Sequence, residues 1–303
     1  MNAGLTLTRE LVRRHGRRSD TYGAALLDVA QDHLLWLLAD GGHFDHGDLV
    51  FKGGTSLRKC RLGVLGRFST DLDFAAPDDD TVLRVCEAID GASVSGFAFS
   101  LRSTRGDGRH WAMTVTHPTL GSPDMAAAVE FARRPLILPP EPLGFLPVAI
   151  HASYALPTLP TMPVINLNEA VAEKLARYRR TALARDVYDL AQFATTGIDD
   201  ALVRRLWVLK VWGDVVDDGR GAKPLAPADV LTQKREKDFA PESIGKLTQP
   251  IDVVGWERTV RRRYQFLAEL TEEDEARWAA CDPRDRYDVE RAIAALRPPE
   301  SAS

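Results

Sequence analysis

Two stretches decide the fold: Phe51-Lys-Gly-Gly-Thr-Ser-Leu-Arg-Lys59 and Arg67-Phe-Ser-Thr-Asp-Leu-Asp-Phe74. Leu49-Val50-Phe51 is a short apolar run that meets Gly53-Gly54, the pattern of a strand entering a turn. Ser56 to Leu65 is predicted helical. Thr70 to Phe74 alternates polar and apolar residues with a period of two, which predicts a strand. Alternate strand residues share a face, so Asp71 and Asp73 project together while Leu72 and Phe74 enter the core. Side-by-side carboxylates repel, and a divalent cation relieves that repulsion. Hard oxygen ligands in an Asp-x-Asp pair suit Mg²⁺ (or Mn²⁺), which also bridges the phosphates of a nucleotide. Gly53 and Gly54, with Thr55 and Ser56 opening a helix, offer backbone N–H groups and close approach to a triphosphate. Arg58, Lys59 and Arg67 add positive charge beside it. Ser69 and Thr70 are either ordinary strand residues or hydroxyls close to the phosphates, where modification would add negative charge.

The rest of the composition leaves that chemistry local. The chain has 303 residues, 45% of them hydrophobic and 27% charged, enough for two modest globular domains. Up to Ile165 there are 16 basic and 18 acidic residues, and beyond it 23 and 25, so each half carries −2. No global basic field marks a nucleic-acid binder. Cys60, Cys86 and Cys281 are far apart and form no Cys-x-x-Cys pair, which predicts buried thiols in a reducing compartment. The N-terminus lacks a signal-peptide pattern and no apolar run approaches a membrane span, so a cytoplasmic protein with no membrane partner is expected. His43 and His46 have no ligands at zinc spacing.

Leu5 to about Asp40 reads as helical, with Asp40-Gly41-Gly42 as its stop. After Phe74, a helix is predicted over Thr81–Ile89, and strands over Ala98–Leu101, Trp111–Val115 and Ala127–Phe131. Prolines 139, 140, 142, 147, 157, 160 and 163 oppose a regular helix and mark a connection between domains. Beyond it, Asn166–Glu169 begins a helix through Ala182, a second runs from Arg185 to Phe193, and helical spacing continues to about Leu296. The expected organisation is α/β (α+β): a core domain over 1–163, a mainly helical domain over 164–296 and a disordered tail over 297–303.

The two opening stretches resemble the first signature of the polymerase-β-like nucleotidyltransferase superfamily. More specifically they resemble the AbiEii branch of abortive-infection and toxin–antitoxin toxins, which includes the mycobacterial MenT toxins. The 16 residues between Gly54 and Asp71 fit the Arg-x-Ser-x-Asp-x-Asp form of this branch. The resemblance implies a mixed sheet in the core domain and gives meaning to a second constellation. Lys174, Arg177, Arg179, Arg180 and Arg185 crowd twelve positions, with Asp186 and Asp189 following. Spacing alone describes a solvated basic helix with intrahelical pairs. Members of the family carry a lysine on a helix after the core and then an Arg-Asp-x-x-Asp-like motif, matched here by Lys174 and by Arg185-Asp186-Val-Tyr-Asp189. Lys174 is then implied as a phosphate contact and Asp186 as a contributor to catalysis, with Asp189 its partner. The superfamily often adds a carboxylate on a neighbouring strand, as metal ligand or general base; Glu130 is the candidate.

By the same resemblance the activity is transfer of a nucleotide from an NTP to RNA, foremost the 3′ acceptor end of tRNA, with loss of pyrophosphate and arrest of translation. The implied partners are the NTP, the tRNA acceptor stem, received by the basic segment at Arg177 to Arg180, and a cognate antitoxin. A small molecule or protein hydroxyl as acceptor, or a non-catalytic binding module of the same fold, are the alternatives. Arg261-Arg262-Arg263-Tyr264 is a further candidate RNA contact, or else a solvated helix face. Trp207, Trp212, Trp256 and Trp278 are predicted to lie in the core.

Overall fold

A computed structural model describes residues 7–16, 21–123, 125–154, 156, 158–181, 183–221, 247 and 250–297. Residues 5–6, 17–20, 157, 182, 222–246, 248–249 and 298–303, on which parts of the reading above fall, lie outside these. The described residues form two compact units, one of 7–135, 140–164, 247 and 250, the other of 136–139, 165–221 and 251–297.

The first unit is built on a mixed sheet whose eight strands, among the described residues, run in the order β3-β4-β5-β6-β2-β1-β8-β7. These are β1 (Val50–Lys52), β2 (Asp71–Ala75), β3 (Ser93–Val94), β4 (Phe97–Ser103), β5 (His110–Thr116), β6 (Ala127–Ala132), β7 (Glu141–Gly144) and β8 (Thr161–Val164). Strand β2 is central, antiparallel to β1 and parallel to β6. Its inner residues build the core. Phe51, Phe74 and Phe131 occupy one row across β1, β2 and β6, with ring centroids 5.5 and 5.7 Å apart. All three rings are buried. The alternation that buries Phe74 is what turns Asp71 and Asp73 to the opposite face.

Strands β7 and β8 lie within the proline-rich connection, where no strand was expected. Pro142 stands opposite Pro163 in their antiparallel ladder. Neither residue has an N–H, so the pair fits a position where facing residues exchange no hydrogen bonds. The first unit closes on β8 at Val164, and 136–139 belong with the second unit rather than the core domain.

Helices α1 (Arg9–Gly16) and α2 (Tyr22–Asp40) precede the sheet. Helix α2 is buried along most of its length, and it buries Asp28, Gln31, Asp32 and His33 with its leucines. Unpaired carboxylates there would be costly, so each has a cation. Arg58 donates from Nε to Asp28 at 2.8 Å, and Lys59 Nζ reaches Asp28 at 3.2 Å and Asp32 at 2.5 Å. His15 lies 2.7 Å from Asp28, and the Tyr154 hydroxyl donates to Asp32 at 2.5 Å. Burial pushes the Asp28 carboxyl up, but Arg58, Lys59 and His15 outweigh it and hold the group well below the ordinary carboxylate range.

The segment after β1 supplies these cations in an unusual way. Helix α3 (Gly53–Leu57) passes directly into a π-helical turn over Arg58–Leu62. The wider turn is a local irregularity of the kind found near functional sites. Helix α4 (Asp79–Ile89) follows β2, capped by Asp78, whose carboxylate accepts from Thr81 N at 2.6 Å. The described cysteines are free and buried, and burial pushes the Cys60 and Cys86 thiols up to about 12.

The second unit is helical. It contains α5 (Leu167–Thr181), α6 (Ala184–Gln192), α7 (Asp200–Val216), α8 (Val253–Arg263), α9 (Glu273–Trp278) and α10 (Arg286–Leu296). Trp207, Trp212 and Trp278 are buried in it, as predicted, and Trp256 is half-buried edge-on against Tyr188. Glu169 is buried; it accepts from the N–H groups of Ile137 and Leu138 at 2.9 and 2.8 Å and pairs with Lys210 at 2.8 Å. That explains why 136–139 travel with this unit. No helix among the described residues is long and apolar enough to cross a membrane.

Candidate active site

The turn between β1 and α3 is shaped around Asp73. Gly53 adopts φ +74°, and a Cβ there would fall 1.9 Å from Asp73 Oδ2. Only glycine tolerates both the left-handed backbone and the carboxylate seated over it. At Gly54 a Cβ would meet Arg67 Nη2 at 2.5 Å and Ser69 Oγ at 3.0 Å. The predicted glycine turn thus has an acid over its first residue and a guanidinium with a hydroxyl over its second.

The hydroxyls of Thr55 and Ser56 serve the turn itself. Both residues are buried; Thr55 Oγ1 donates to the carbonyl of Asp71 at 2.5 Å and Ser56 Oγ to that of Gly53 at 2.9 Å. Thr55 therefore couples the start of α3 to the residue it must face. Gln31 donates from α2 to the carbonyls of Ser69 and Thr70, at 3.2 and 3.1 Å, and Thr70 Oγ1 donates to Asp71 Oδ1 at 3.0 Å. Gln31 was not legible as a site residue. Its one signal was an amide inside an apolar helix.

Arg58 and Lys59 correct the sequence reading. Both were expected to face phosphate, yet they are buried, with their charges set on Asp28 and Asp32. Arg58 also donates to the carbonyl of Gly66 at 2.5 Å. They lock the loop beneath the turn to α2. Asp28 and Asp32, one helical turn apart in an apolar helix, were the overlooked signal.

Glu130 lies directly across from Asp73 on parallel β6, and Ala128 lies across from Asp71. Paired residues of neighbouring strands share a face. The sheet therefore puts Glu130 on the acidic face, but among the described residues no three His, Cys, Asp or Glu side chains are grouped to hold a metal ion. The Asp71–Asp73 pair fits Mg²⁺ by its chemistry, since that ion takes one or two carboxylates and completes its shell with water and phosphate oxygens. The cradle over Gly53 is shaped for one of those carboxylates.

The second constellation folds onto itself. Lys174 on α5 reaches Asp189 Oδ2 at 2.7 Å and Asp186 Oδ1 at 3.4 Å, and Arg177 grips Asp186 through Nε at 2.8 Å and through Nη2. Lys174, Asp186 and Asp189 are all buried. Both aspartates, not one, meet the lysine. Arg180 lies 3.2 Å from Asp214. With Arg177 and Arg180 both paired to acids, the segment's charge is largely compensated within its own unit. Tyr264 is buried and donates to the Leu190 carbonyl at 3.0 Å, while Arg263 pairs with Asp200 at 2.8 Å. Tyr264 is therefore turned into the core and presents no ring to a base, while Arg261 and Arg262 are exposed.

Two expectations follow. Gly53→Ala should lower any transfer activity by roughly 10²-fold, because displacing Asp73 by about an ångström misplaces it. Its thermal midpoint should fall modestly, reflecting about 1–3 kcal/mol of backbone strain. Wild-type rates from this variant would refute the cradle. Asp186→Ala should cost roughly 1–3 kcal/mol in urea unfolding, since it removes the acid held by Arg177 and the second partner of buried Lys174, which keeps Asp189 at 2.7 Å. In a double-mutant cycle the losses from Asp186→Ala and Lys174→Met should be less than additive, and strict additivity would refute the coupling.

An acidic strand pair facing a glycine turn that opens a helix is the arrangement expected of a nucleotidyltransferase. The profile of the AbiEii family, described as nucleotidyl transferase AbiEii toxin of type IV toxin–antitoxin systems, matches residues 36–293. The chain belongs to this family. Among solved structures it is similar to MenT4, a nucleotidyltransferase toxin from Mycobacterium tuberculosis H37Rv, at 62% identity and a TM-score of 0.93. That match covers 96% of this chain and 100% of the other. JHP933 from Helicobacter pylori matches at 15% identity and a TM-score of 0.44, over 89% of this chain and 97% of its own. No curated protein matches. The fold is the nucleotidyltransferase fold of MenT4, and the protein is a nucleotidyltransferase toxin of a toxin–antitoxin family.

Proposed function

We propose that this toxin transfers a nucleotide from an NTP to RNA, with the 3′ acceptor end of tRNA as its principal target. The observation that carries the proposal is the Asp73 carboxylate seated over Gly53. In the reaction the acceptor hydroxyl oxygen bonds to the α-phosphorus, the bond from that phosphorus to the β-bridging oxygen breaks, and pyrophosphate leaves. A divalent cation held by Asp71 and Asp73 would neutralise charge on the phosphates. Arg67 and Ser69, against Gly54, face the nucleotide with the backbone of Gly53 and Gly54. The register that sets Glu130 across from Asp73 supports a role for it as acceptor of the hydroxyl proton. Lys174 as a phosphate contact and Asp186 as its partner in catalysis, supported by Asp189, are roles that rest on family resemblance. Their pairing supports an ordered lysine. A cognate antitoxin would restrain the activity in the cytoplasm.

The test is incubation with each labelled NTP and total RNA. Label in tRNA supports the proposal. Label in protein or in a small molecule, with none in RNA, overturns it.

A further inference from the structure

The strand register puts a residue into the acidic face that the motif reading passed over. Lys52, the last residue of β1, stands directly opposite Asp73 in the antiparallel β1–β2 ladder, and Asp73 stands opposite Glu130. The next pairing outward sets His110 opposite Glu130. Facing residues in a ladder share a face, with Cβ atoms about 4.5–5.5 Å apart. Lys52, Asp73, Glu130 and His110 therefore form one row across the sheet, and Asp71 lies on the same face one step along β2. Within this row Lys52 is half-buried, and it is the residue immediately before the Gly53 cradle.

The chemistry of the row is unbalanced. Asp71, Asp73 and Glu130 bring three carboxylates to it, while a nucleotide adds an anionic triphosphate. A bound cation serves the carboxylates and part of the phosphate chain. For the remaining phosphate charge, Arg67 brings one donor to the turn at Gly54, and Arg58 and Lys59 cannot add to it because they are committed to Asp28 and Asp32. A lysine stem on β1 is long enough to reach past the Asp73 pair to the space over Gly53, where that charge arrives. We propose that Lys52 contacts the triphosphate of the NTP and sets nucleotide affinity. The inference rests on the nucleotide-transfer reading above. It adds a residue from β1 to the glycine turn and the acidic strand.

The experiment compares Lys52→Met, Lys52→Gln and Lys52→Arg with the wild type, measuring NTP KM, kcat and the Mg²⁺ concentration for half-maximal rate at saturating NTP. For Lys52→Met and Lys52→Gln, KM should rise about tenfold or more while kcat changes by less than about threefold, the signature of lost ground-state binding. Lys52→Arg should keep KM within about threefold, because it retains the charge and the donors. The Mg²⁺ midpoint should move by less than about twofold; a lysine serving only as counter-ion to Asp73 would shift that midpoint and leave KM alone, which would overturn the proposal. If the methionine variant does not fold, the glutamine and arginine pair decides the matter by the same criteria. A wild type that transfers with Lys52 variants of equal KM sinks this inference alone. A wild type that neither binds nor transfers any of the four NTPs sinks the functional reading and this inference with it.

Discussion

Asp73→Asn is expected to cut nucleotide transfer by about 10³-fold and to relieve growth arrest on overexpression, with little change in melting temperature. The amide keeps the shape of the carboxylate over Gly53, where a Cβ would lie 1.9 Å from Oδ2, so the turn has no reason to rearrange. What is lost is one negative charge and a hard oxygen ligand on the face shared with Asp71. Asp71→Asn should behave alike, since its backbone carbonyl, which Thr55 holds at 2.5 Å, is untouched. Initial rates with labelled NTP, beside a thermal melt, measure both parts. A variant that transfers at the wild-type rate would remove Asp73 from the catalytic centre, and one that stays fully toxic without transferring would favour a non-catalytic binding module.

Asp28→Ala should produce the largest loss of stability. It removes the acid that faces Arg58 and Lys59, leaving two buried cations with fewer partners, and breaking even one buried pair costs roughly 3–5 kcal/mol. Urea unfolding near neutral pH should show that loss; one under about 1 kcal/mol would mean the network is dispensable. The same pair sets an acid limit. The folded carboxyl of Asp28 is held below its ordinary value, so its contribution is complete above the unfolded pKa of about 3.9. It is lost as pH falls through the lower, folded value. Asp32 is lowered too, its burial opposed by Lys59 and His151, and adds in the same direction. Urea midpoints followed downward from pH 5 should drop more steeply for the wild type than for Asp28→Asn.

Much of the site was legible because its signals are local. Period-two alternation at Asp71–Phe74 gives the face of each side chain without knowledge of neighbouring strands. A paired glycine after an apolar run marks a turn for similar reasons. The failures lie where charge meets tertiary contact. Arg58 and Lys59 looked like phosphate ligands because two cations beside a glycine turn usually face solvent or anion. Their partners are 27 to 31 residues upstream on a different helix. Glu130 was picked out from superfamily habit, and only the β2–β6 register put it across from Asp73. Strands β7 and β8 were hidden because proline lowers strand propensity, while a facing Pro142–Pro163 pair escapes the penalty by needing no ladder hydrogen bond.

The sequence by itself determined that a glycine turn and an Asp-x-Asp strand would lie in an α/β core ahead of a helical region. Those features are set by backbone conformation and side-chain periodicity, which act over a few residues. Tertiary structure alone decided which charges belong to the site. It assigned Arg58 and Lys59 to a buried network, joined Lys174 to both Asp186 and Asp189, and set Lys52 opposite Asp73. A charge has no preferred partner until burial removes water as the competitor, and the chain reaches that point only once helices and strands distant in sequence have packed.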